Sequence, residues 1–490
     1  MVIYLDNQGF PEDDYLVKRH LPVRSSPVWA AFDDMLHLPY FKRIWIIQQI
    51  AVSSQFQLLW GNVTIPGPAF RAARGWALIH GMHRLEPKIH DPRPSLALQR
   101  TAVTFDPPEH RPSDWLGLIT MTRGHEATDE RDRVYALMGW VDEPSYNIIP
   151  DYTKTEAEVF RDFTLQVISK SNSLAILSHC RMGRLETAEH PFWVPRWTRS
   201  EGKLPRSLHY HGFDASKGFD VSLDNANTIS EVLAVSGFQV DVVMDAGASM
   251  APEGDAFPIT KAMQLISKHQ KVFGERKGPN PIKPLLLSMI ASRGRNTIGD
   301  GPAKLIEDEH LDSFLAFSQR AFAEFLQDGY FQDAKTLLGL MNSAFEASAS
   351  ATQGEPLWQS EDTHEWFTTV VTTFFEGSPD LISSCLKMFK TIGKAIGDGR
   401  DFVECFLDAA LHRKFFITKR GFIGIGPPTM EVGDTVAILF GGPTPYVLRP
   451  LPALNEYAFL GECYLHGMME GEAIEMFKRN EMTEMCFLLR

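Results

Sequence analysis

Residues 414–467, KFFITKRGFIGIGPPTMEVGDTVAILFGGPTPYVLRPLPALNEYAFLGECYLHG, hold the pattern that decides the fold of this chain. Short runs of β-branched and aromatic residues alternate there with Gly-Gly, Pro-Pro and other turn-forming pairs. Short runs separated by turn-forming residues in this way are typical of antiparallel strands joined by tight turns. The stretch therefore predicts a small antiparallel β-barrel or meander, within a C-terminal module that covers 411–490.

Helix-forming patterns dominate much of the chain upstream of this module. Helices are predicted over 26–38, 154–170, 257–346 and 363–410, with a Ser/Ala/Gly-rich linker at 346–356. Ser26 and Pro27 have the residue types of an N-cap and a first helical position, and Thr153 with Glu156 has the spacing of a capping box.

Strand-like patterns interrupt the helices at three places. The run 44–52 is rich in β-branched residues and apolar on both faces until Gln48-Gln49, which suits an interior strand of a mixed or parallel sheet. Further strands are predicted at 56–60 and 231–246. The predicted class is α+β, with four segments: 1–110, 111–250, a helical region 251–410, and 411–490.

Composition and charge exclude several classes of protein. The 490 residues are 44% hydrophobic and carry a formal net charge of −13, which gives no global attraction to nucleic acid or to anionic lipid. The apolar runs are too short to span a bilayer, and the acidic N-terminus is no signal peptide. Five scattered cysteines indicate reduced thiols. We expect a cytoplasmic protein, with the nucleus as the alternative compartment, that binds neither nucleic acid nor membrane.

Single motifs that could carry chemistry have simpler interpretations. Gly421, Gly424 and Gly426 lie between predicted strands, where a turn is favoured over a nucleotide site, and Cys463 with His466 suits a strand end better than a thiolate–imidazolium pair. The pair His179-Cys180 lacks a second pair at metal spacing, and GASMA at 247–251 lacks the context of a nucleophile elbow.

Two further motifs concern charged and aromatic side chains. HEATDERDR at 125–133 predicts a solvated helix start with local ion pairs, in which Asp132 or Arg133 could anchor a neighbouring loop. Trp193 and Trp197, in PFWVPRW, predict core packing, with a ligand platform as the alternative.

Four blocks, in this order, resemble the fungal heterokaryon-incompatibility (HET) domain proteins. They are PYFKRIWIIQQIAVSSQFQLLWGN at 39–62, ERDRVYALMGWVD with IIPDYTKTEAEVFRDFT at 130–164, PFWVPRW at 191–197, and the tail from FFITKR to GMMEGEA. The resemblance covers about 39–473, with little contribution from 250–410. It implies that 1–110 is the C-terminal remnant of a HET domain, a partial α/β, TIR-like fold.

The chain departs from the family pattern at two points. The family's Ala-Leu-Ser-Tyr-x-Trp-Gly and Trp-x-Asp-x-x-Cys-x-Asn-Gln strings do not occur, and its Gln-Glu is Gln48-Gln49 here, a neutral amide in place of a carboxylate. Some TIR-related proteins cleave NAD, but that chemistry would require the absent half. No catalytic, cofactor-binding or metal-binding residue is therefore predicted, and no cofactor.

An apolar strand at 44–52 would need hydrogen-bonded neighbours on both edges, because each unpaired buried amide costs roughly 1–3 kcal/mol. If its partner strands lay upstream, either 1–24 and 56–60 complete the sheet or a hydrophobic edge is open. The sequence thus predicts poor solubility and self-association through an open sheet edge.

Three functions fit these observations. The resemblance implies a non-enzymatic regulator that acts by contact with other proteins in fungal non-self recognition and cell death. The alternatives are a TIR-like NAD hydrolase, if an upstream half exists, and an inactive gene remnant.

Overall fold

The computed structural model of the chain divides into two units. The N-terminal unit comprises residues 1–171 and 194–202, and the C-terminal unit comprises 172–193 and 203–490. The structure describes residues 12–51, 53, 55–79, 104–105, 114–138, 148–180, 190–197, 207–224, 231–250, 265, 268–269, 288, 290–291, 405–406 and 409–490. Both units contain helices and strands, which confirms the predicted α+β class.

Helices form most of the described N-terminal unit. They are α1 (Asp13–Lys18), α2 (Pro27–Leu36), α3 (Pro39–Lys42), α4 (Trp45–Ala51), α5 (Gly67–Ile79), α6 (Trp115–Met121), α7 (Asp132–Tyr135) and α8 (Glu156–Ser171). The start of α2 is as predicted, since the Ser26 hydroxyl accepts a hydrogen bond from the Val28 N–H at 3.4 Å. The helix ends at Leu36, and Pro39 begins α3.

Helix α8 confirms the predicted helix at 154–170 but not its cap. The capping box is formed two residues later than predicted, by Thr155 and Glu158: the Thr155 N–H donates to Glu158 Oε2 at 2.8 Å, and the Glu158 N–H donates to Thr155 Oγ1 at 3.3 Å. These bonds, led by the one from the Thr155 backbone, lower the pKa of Glu158. Thr153 instead binds the Asp151 carboxylate.

The prediction of an interior strand at 44–52 was wrong, because Trp45–Ala51 is helix α4. Ile46, Ile47 and Ile50 are buried, at the three- and four-residue spacing of one helix face, while Gln49 is exposed. A run of seven apolar and neutral residues fits a short buried helix as well as a strand, so tertiary burial decides between them. The open strand edge expected at 44–52 therefore does not exist.

A β-hairpin follows this helix. Strands β1 (Gln57–Trp60) and β2 (Val63–Pro66) pair antiparallel from Gln57↔Pro66 to Trp60↔Val63, which confirms the predicted strand at 56–60. The two-residue turn contains Gly61 in the left-handed region, with φ +58°. Nearby, the buried rings of Phe41, Phe70 and Phe105 form an aromatic core.

The C-terminal unit is built on a single sheet of eight strands in the part of the chain that the structure describes. They are β3 (Leu233–Ser249), β4 (Lys414–Thr418), β5 (Ile423–Gly426), β6 (Thr435–Leu439), β7 (Tyr446–Leu451), β8 (Glu456–Glu462), β9 (Tyr464–Leu465) and β10 (Glu484–Leu489). The predicted strands at 231–246 and 414–466 are thus present. Strand β3 joins the C-terminal sheet although it lies in the predicted segment 111–250.

The strands close into a ring rather than forming an open meander. The strand order is β10-β8-β7-β6-β3-β4-β5-β9, and β10 also pairs with β3. Strand β10 runs antiparallel to β3 from Glu484↔Phe238 to Leu489↔Leu233 and meets β8 in parallel at Leu489↔Tyr457. The ring β3-β6-β7-β8-β10 is therefore closed, and closure removes the exposed edges of these strands.

Helix α9 (Glu472–Lys478) packs on the apolar core of this sheet. Ala473 and Ile474 belong to the buried cluster, and the Phe477 ring stacks on that of Phe238 with centroids 4.9 Å apart. Neither this helix nor β10 was predicted from the sequence.

Several predictions concern residues outside the described ones, or stay predictions. The helices over 257–346 and 363–410 and the linker at 346–356 lie almost wholly outside the described residues. The four-segment division and the TIR-like assignment of 1–110 stay predictions. No helix within the described ranges combines the length and apolarity that crossing a membrane requires.

Candidate functional site

Asp132 joins three segments of the N-terminal unit. Its Oδ2 accepts a hydrogen bond from the Trp45 indole N–H at 2.9 Å, and its Oδ1 accepts one from the Tyr152 hydroxyl at 2.7 Å. The bond to Asp132, with burial, raises the pKa of Tyr152 to about 12. The expectation that Asp132 anchors a neighbouring loop is confirmed.

Arg131, beside Asp132, binds the backbone of residues 152–154. Arg131 donates from Nε and Nη2 to the Asp129 carboxylate at 2.9 and 2.7 Å, and from Nη1 to the carbonyls of Tyr152 and Lys154. The hydrogen bond from the Arg131 side chain is the main cause that lowers the pKa of Asp129, while partial burial opposes it. Both charges therefore serve to fix the path of 151–154.

The sequence predicted a solvated helix start at Arg133, and this prediction was wrong. Its side chain is 2% exposed, contacts Glu130 and donates to the His125 carbonyl at 3.1 Å. Arg133 is therefore a buried residue whose long side chain donates to a backbone carbonyl eight residues earlier in the chain.

The two tryptophans of PFWVPRW are core residues, as predicted, and not a ligand platform. In the N-terminal unit Trp197 is 1% exposed and meets Phe163 edge-to-face, with Arg123 over its ring. In the C-terminal unit Trp193 is fully buried and its Nε1 donates to the Glu231 carbonyl at 3.2 Å.

A buried carboxylate, Glu462 at the end of β8, organises one part of the C-terminal unit. Its Oε1 accepts from Arg413 Nη2 at 2.7 Å, from the Leu208 N–H at 2.7 Å and from the Ser207 hydroxyl at 3.3 Å. Arg413 and Glu462 are 6% and 4% exposed. The Ser207 hydroxyl also reaches the Ser178 carbonyl at 2.8 Å, so one carboxylate ties the barrel to the two 3₁₀ turns, Ala175–His179 and Leu208–His211.

Sequence reasoning missed this pair. The available signal was a glutamate inside the apolar run AFLGECYL and an arginine two residues before the apolar run FFI. A charge at a position that the strand pattern buries calls for a counter-charge. Arg413 precedes its partner by 49 residues, so only the fold shows which counter-charge is used.

The candidate nucleophile and metal residues of the C-terminal unit lie in packed positions. Cys463 is fully buried between β8 and β9, and burial raises the pKa of its thiol, against a smaller opposite effect of Arg413. A thiol in this state is a poor nucleophile. Tyr464 and His466 contact each other at 3.1 Å, and Cys180 Sγ lies 3.1 Å from the Trp193 carbonyl. Within the described ranges no cluster of three or more His, Cys, Asp or Glu side chains could hold a metal ion.

The glycine motifs are structural. Gly421 takes φ +80° in the turn before β5, as the turn interpretation predicted. For Gly424 and Gly426 that interpretation was wrong, because both lie within strand β5. The GASMA sequence overlaps the end of β3. Gln48 and Gln49 lie on α4, where Gln49 faces solvent.

Comparison with known proteins shows what the chain is similar to. The family model described as the Het-6 β-barrel domain matches residues 383–485. The chain is 24% identical over 377 residues to heterokaryon incompatibility protein 6, OR allele, of Neurospora crassa. The chain is therefore similar to the fungal heterokaryon-incompatibility proteins, both at this barrel domain and over the aligned residues. The alignment covers 72% of this chain and 50% of the relative, so the chain spans half the length of that heterokaryon-incompatibility protein. No solved structure matches.

The Het-6 β-barrel domain includes the Arg413–Glu462 pair and strands β4 to β9. Strand β3 lies outside the matched range, and β10 begins only at Glu484, yet both complete the ring. The Asp132 cluster lies N-terminal to this domain. The chain therefore uses its polar clusters to join segments that are far apart in sequence.

Proposed function

We propose that this protein is of the heterokaryon-incompatibility type, a non-enzymatic regulator that acts by protein contact in fungal non-self recognition and cell death. The observation that carries the proposal is its similarity, over 72% of its length, to a protein named for heterokaryon incompatibility. The geometry supports a contact role, because the carboxylates and thiols singled out from the sequence are engaged in packing. Asp132 uses both oxygens to accept hydrogen bonds, and Cys463 is buried with a raised pKa.

Its partners are other proteins, in the cytoplasm. A net charge of −13 opposes binding to phosphate backbones and to anionic lipid surfaces, whereas it leaves protein contacts through neutral surfaces open. A fluorescent fusion in living hyphae is expected to show diffuse cytoplasmic signal.

The experiment is a fusion assay in a filamentous fungus. The full chain is expressed under an inducible promoter, strains are paired, and dead compartments are scored with a membrane-impermeant dye. Induction is expected to raise cell death in some strain pairings and not in self-pairings. Equal death in all pairings, or none in any pairing, would contradict a role in recognition.

An assay on the purified chain tests the enzymatic alternative. Purified chain is incubated with NAD, and nicotinamide release is measured against a heat-denatured sample. We expect no release above that background. Release proportional to protein concentration would overturn the non-enzymatic proposal and favour a TIR-like hydrolase.

A further inference from the structure

A set of buried polar side chains lies beside the Arg413–Glu462 pair of the C-terminal unit. Tyr446 on β7 is the direct cross-strand neighbour of Glu462 on β8, so both side chains lie on one face of the sheet. The hydroxyls of Ser178 and Thr444 lie next to the Tyr446 hydroxyl. Tyr446 and Thr444 are fully buried, and Ser178 is 8% exposed. Ser178, Thr444, Tyr446 and Glu462 therefore form a polar cluster that is shielded from solvent.

The contacts of Ser207 and Tyr446 show which segments meet at this cluster. The Ser207 hydroxyl lies 3.3 Å from Glu462 Oε1 and 2.8 Å from the Ser178 carbonyl oxygen. The Tyr446 hydroxyl donates to the Leu174 carbonyl at 3.2 Å. Burial raises the pKa of Tyr446, the Glu462 charge adds to the rise, and the two neighbouring hydroxyls oppose it. The 3₁₀ turn that contains Ser178 therefore contacts the face that β7 and β8 share.

Hydrogen bonding within the cluster is incomplete. Ser178 Oγ, Thr444 Oγ1 and Glu462 Oε2 are buried, and none of them has a hydrogen-bond partner among the residues that the structure describes. Buried polar atoms of folded proteins almost always have a partner, because an unpaired atom loses its bonds to water without replacement. Three such atoms in one cluster indicate a bound molecule that is small and polar.

The chemistry of these atoms defines what the bound molecule must offer. Glu462 Oε2 can only accept hydrogen bonds, because the carboxylate is ion-paired with Arg413 through Oε1. The hydroxyls of Ser178 and Thr444 each have a hydrogen to donate. The Tyr446 oxygen gives its own hydrogen to a backbone carbonyl, so it can accept one from another group. The cluster thus presents two acceptors and two donors.

We propose that a single water molecule is bound in this cluster and joins strands β7 and β8 to the 3₁₀ turn that contains Ser178. The water donates its two hydrogens to Glu462 Oε2 and Tyr446 Oη, and it accepts the hydrogens of the Ser178 and Thr444 hydroxyls. Its two hydrogens and two lone pairs match the two acceptors and the two donors. Buried waters in proteins typically make about three hydrogen bonds to polar groups that would otherwise be unpaired.

A metal cation fits the cluster less well than water does. A cation binds only lone pairs, so the hydrogens of the Ser178 and Thr444 hydroxyls would stay without an acceptor. The Arg413 guanidinium, 2.7 Å from Glu462 Oε1, already balances the carboxylate charge and would repel a second cation. A water molecule satisfies all four groups and adds no charge to the interior.

This inference goes beyond the proposed function, since it concerns how the C-terminal unit is held together. The first test is a crystal structure of the full chain at a resolution that shows ordered water. An electron-density peak is expected at about 2.6–3.0 Å from Glu462 Oε2 and from the three hydroxyl oxygens. The absence of a peak between well-ordered side chains, or a direct hydrogen bond from Ser178 Oγ to Glu462 Oε2, would overturn the inference. A peak at about 2.0–2.5 Å from these oxygens would overturn it too, because that is the spacing of a metal ion.

The second test compares the number of long-lived bound waters in solution by oxygen-17 magnetic relaxation dispersion. Thr444→Val replaces the hydroxyl by a methyl group of similar size, and it is expected to lose the signal of one long-lived water molecule relative to the parent. Thr444→Ser is the matched control, because it keeps the hydroxyl and should give the signal of the parent.

Ser178→Ala removes the other donor, which lies outside the barrel strands, and is expected to give the same loss as Thr444→Val. The test therefore does not depend on one variant, and circular dichroism melts verify that each variant folds. Signals equal to that of the parent in both Thr444→Val and Ser178→Ala, or an equal loss in Thr444→Ser, contradict the inference. Neither test involves cell death, so their outcome is separate from that of the fusion assay.

Discussion

Single residues of this protein differ in how far their partners lie along the chain. The Ser26 cap of α2 was predictable because it acts on Val28, two residues away. Glu462 was not, because its partners Ser207 and Arg413 are 255 and 49 residues away. Local caps follow from residue type and spacing, whereas the choice of a buried counter-charge requires the fold.

Replacing Glu462 by Gln is expected to destabilise the C-terminal unit by about 3–5 kcal/mol, because Arg413 then stays buried without a counter-charge. The amide oxygen can still accept from the Leu208 N–H, so the change isolates the charge. Denaturant unfolding measures the effect. In the double variant Arg413→Met, Glu462→Gln, part of the stability should return.

The exposed pair Lys478–Glu475 provides the control for this prediction. Its side chains are 57% and 61% exposed, and Glu475→Gln should change stability by less than about 0.5 kcal/mol. A Glu462→Gln variant as stable as this control would show that the buried pair contributes little.

The lowered pKa of Asp129 predicts that part of the protein's stability is lost in acid. Its pKa is lowered in the folded state, first by the Arg131 side chain. Its contribution is therefore present above the unfolded Asp pKa of about 3.9 and is lost as pH falls through the lower folded value. Asp129→Asn should lower the free energy of unfolding at pH 7. The variant should also lose less of its free energy of unfolding than the parent does between pH 7 and pH 3.

Chemical unfolding of the parent and the variant at the two pH values checks this sign. The two proteins should converge in stability at the acid end. A difference between them that stays constant from pH 7 to pH 3 would be incompatible with a lowered pKa of Asp129.

At the scale of elements, secondary structure was predicted correctly for a long element and wrongly for a short one. The sixteen-residue helix α8 was recognised from its periodicity, although its cap was placed two residues early. The short run 44–52 was assigned to the wrong class, because seven apolar residues do not distinguish helix from strand until burial is known.

Gly237 tests how closely the strands of the barrel approach. It pairs with Leu439 on one side and Met485 on the other, and a Cβ there would collide with the Ile438 carbonyl. Gly237→Ala is expected to cost about 1–3 kcal/mol, measured by denaturant unfolding. Gly247→Ala, in the same strand, would meet only an ordinary contact at 3.6 Å and should be within about 0.5 kcal/mol of the parent.

If both alanine variants have equal stability, the close approach at Gly237 is not a constraint on the barrel. The sequence pattern had shown only that a glycine interrupts the strand 231–246. Which carbonyl lies against it depends on β6, about 200 residues later in the chain.

At the scale of the whole molecule, the two sheets differ in whether their edge strands are paired. The C-terminal sheet closes through β10, whereas the hairpin β1–β2 keeps an uncharged edge. Edges that are neither paired nor charged favour association between chains. The sequence predicted such an edge, but in the run that is helix α4.

Removal of residues 484–490 tests closure of the barrel. The deletion exposes the edge of β3 and removes the buried side chains of Phe487 and Leu489. The apparent melting temperature should fall by at least about 10 °C. Cys486→Ser changes an exposed side chain of the same strand and should melt like the parent. An unchanged melt after the deletion would indicate that β3 to β9 are stable as an open sheet.

The sequence by itself determined the α+β class, the strands between 414 and 466 and the resemblance to the heterokaryon-incompatibility proteins, because turn residues, periodicity and motif order act over short spans. The tertiary structure alone decided the helix at 45–51, the recruitment of β3 and β10, and the partners of Asp132 and Glu462. Those outcomes depend on burial and on contacts between residues tens to hundreds of positions apart, for which local pattern carries no signal.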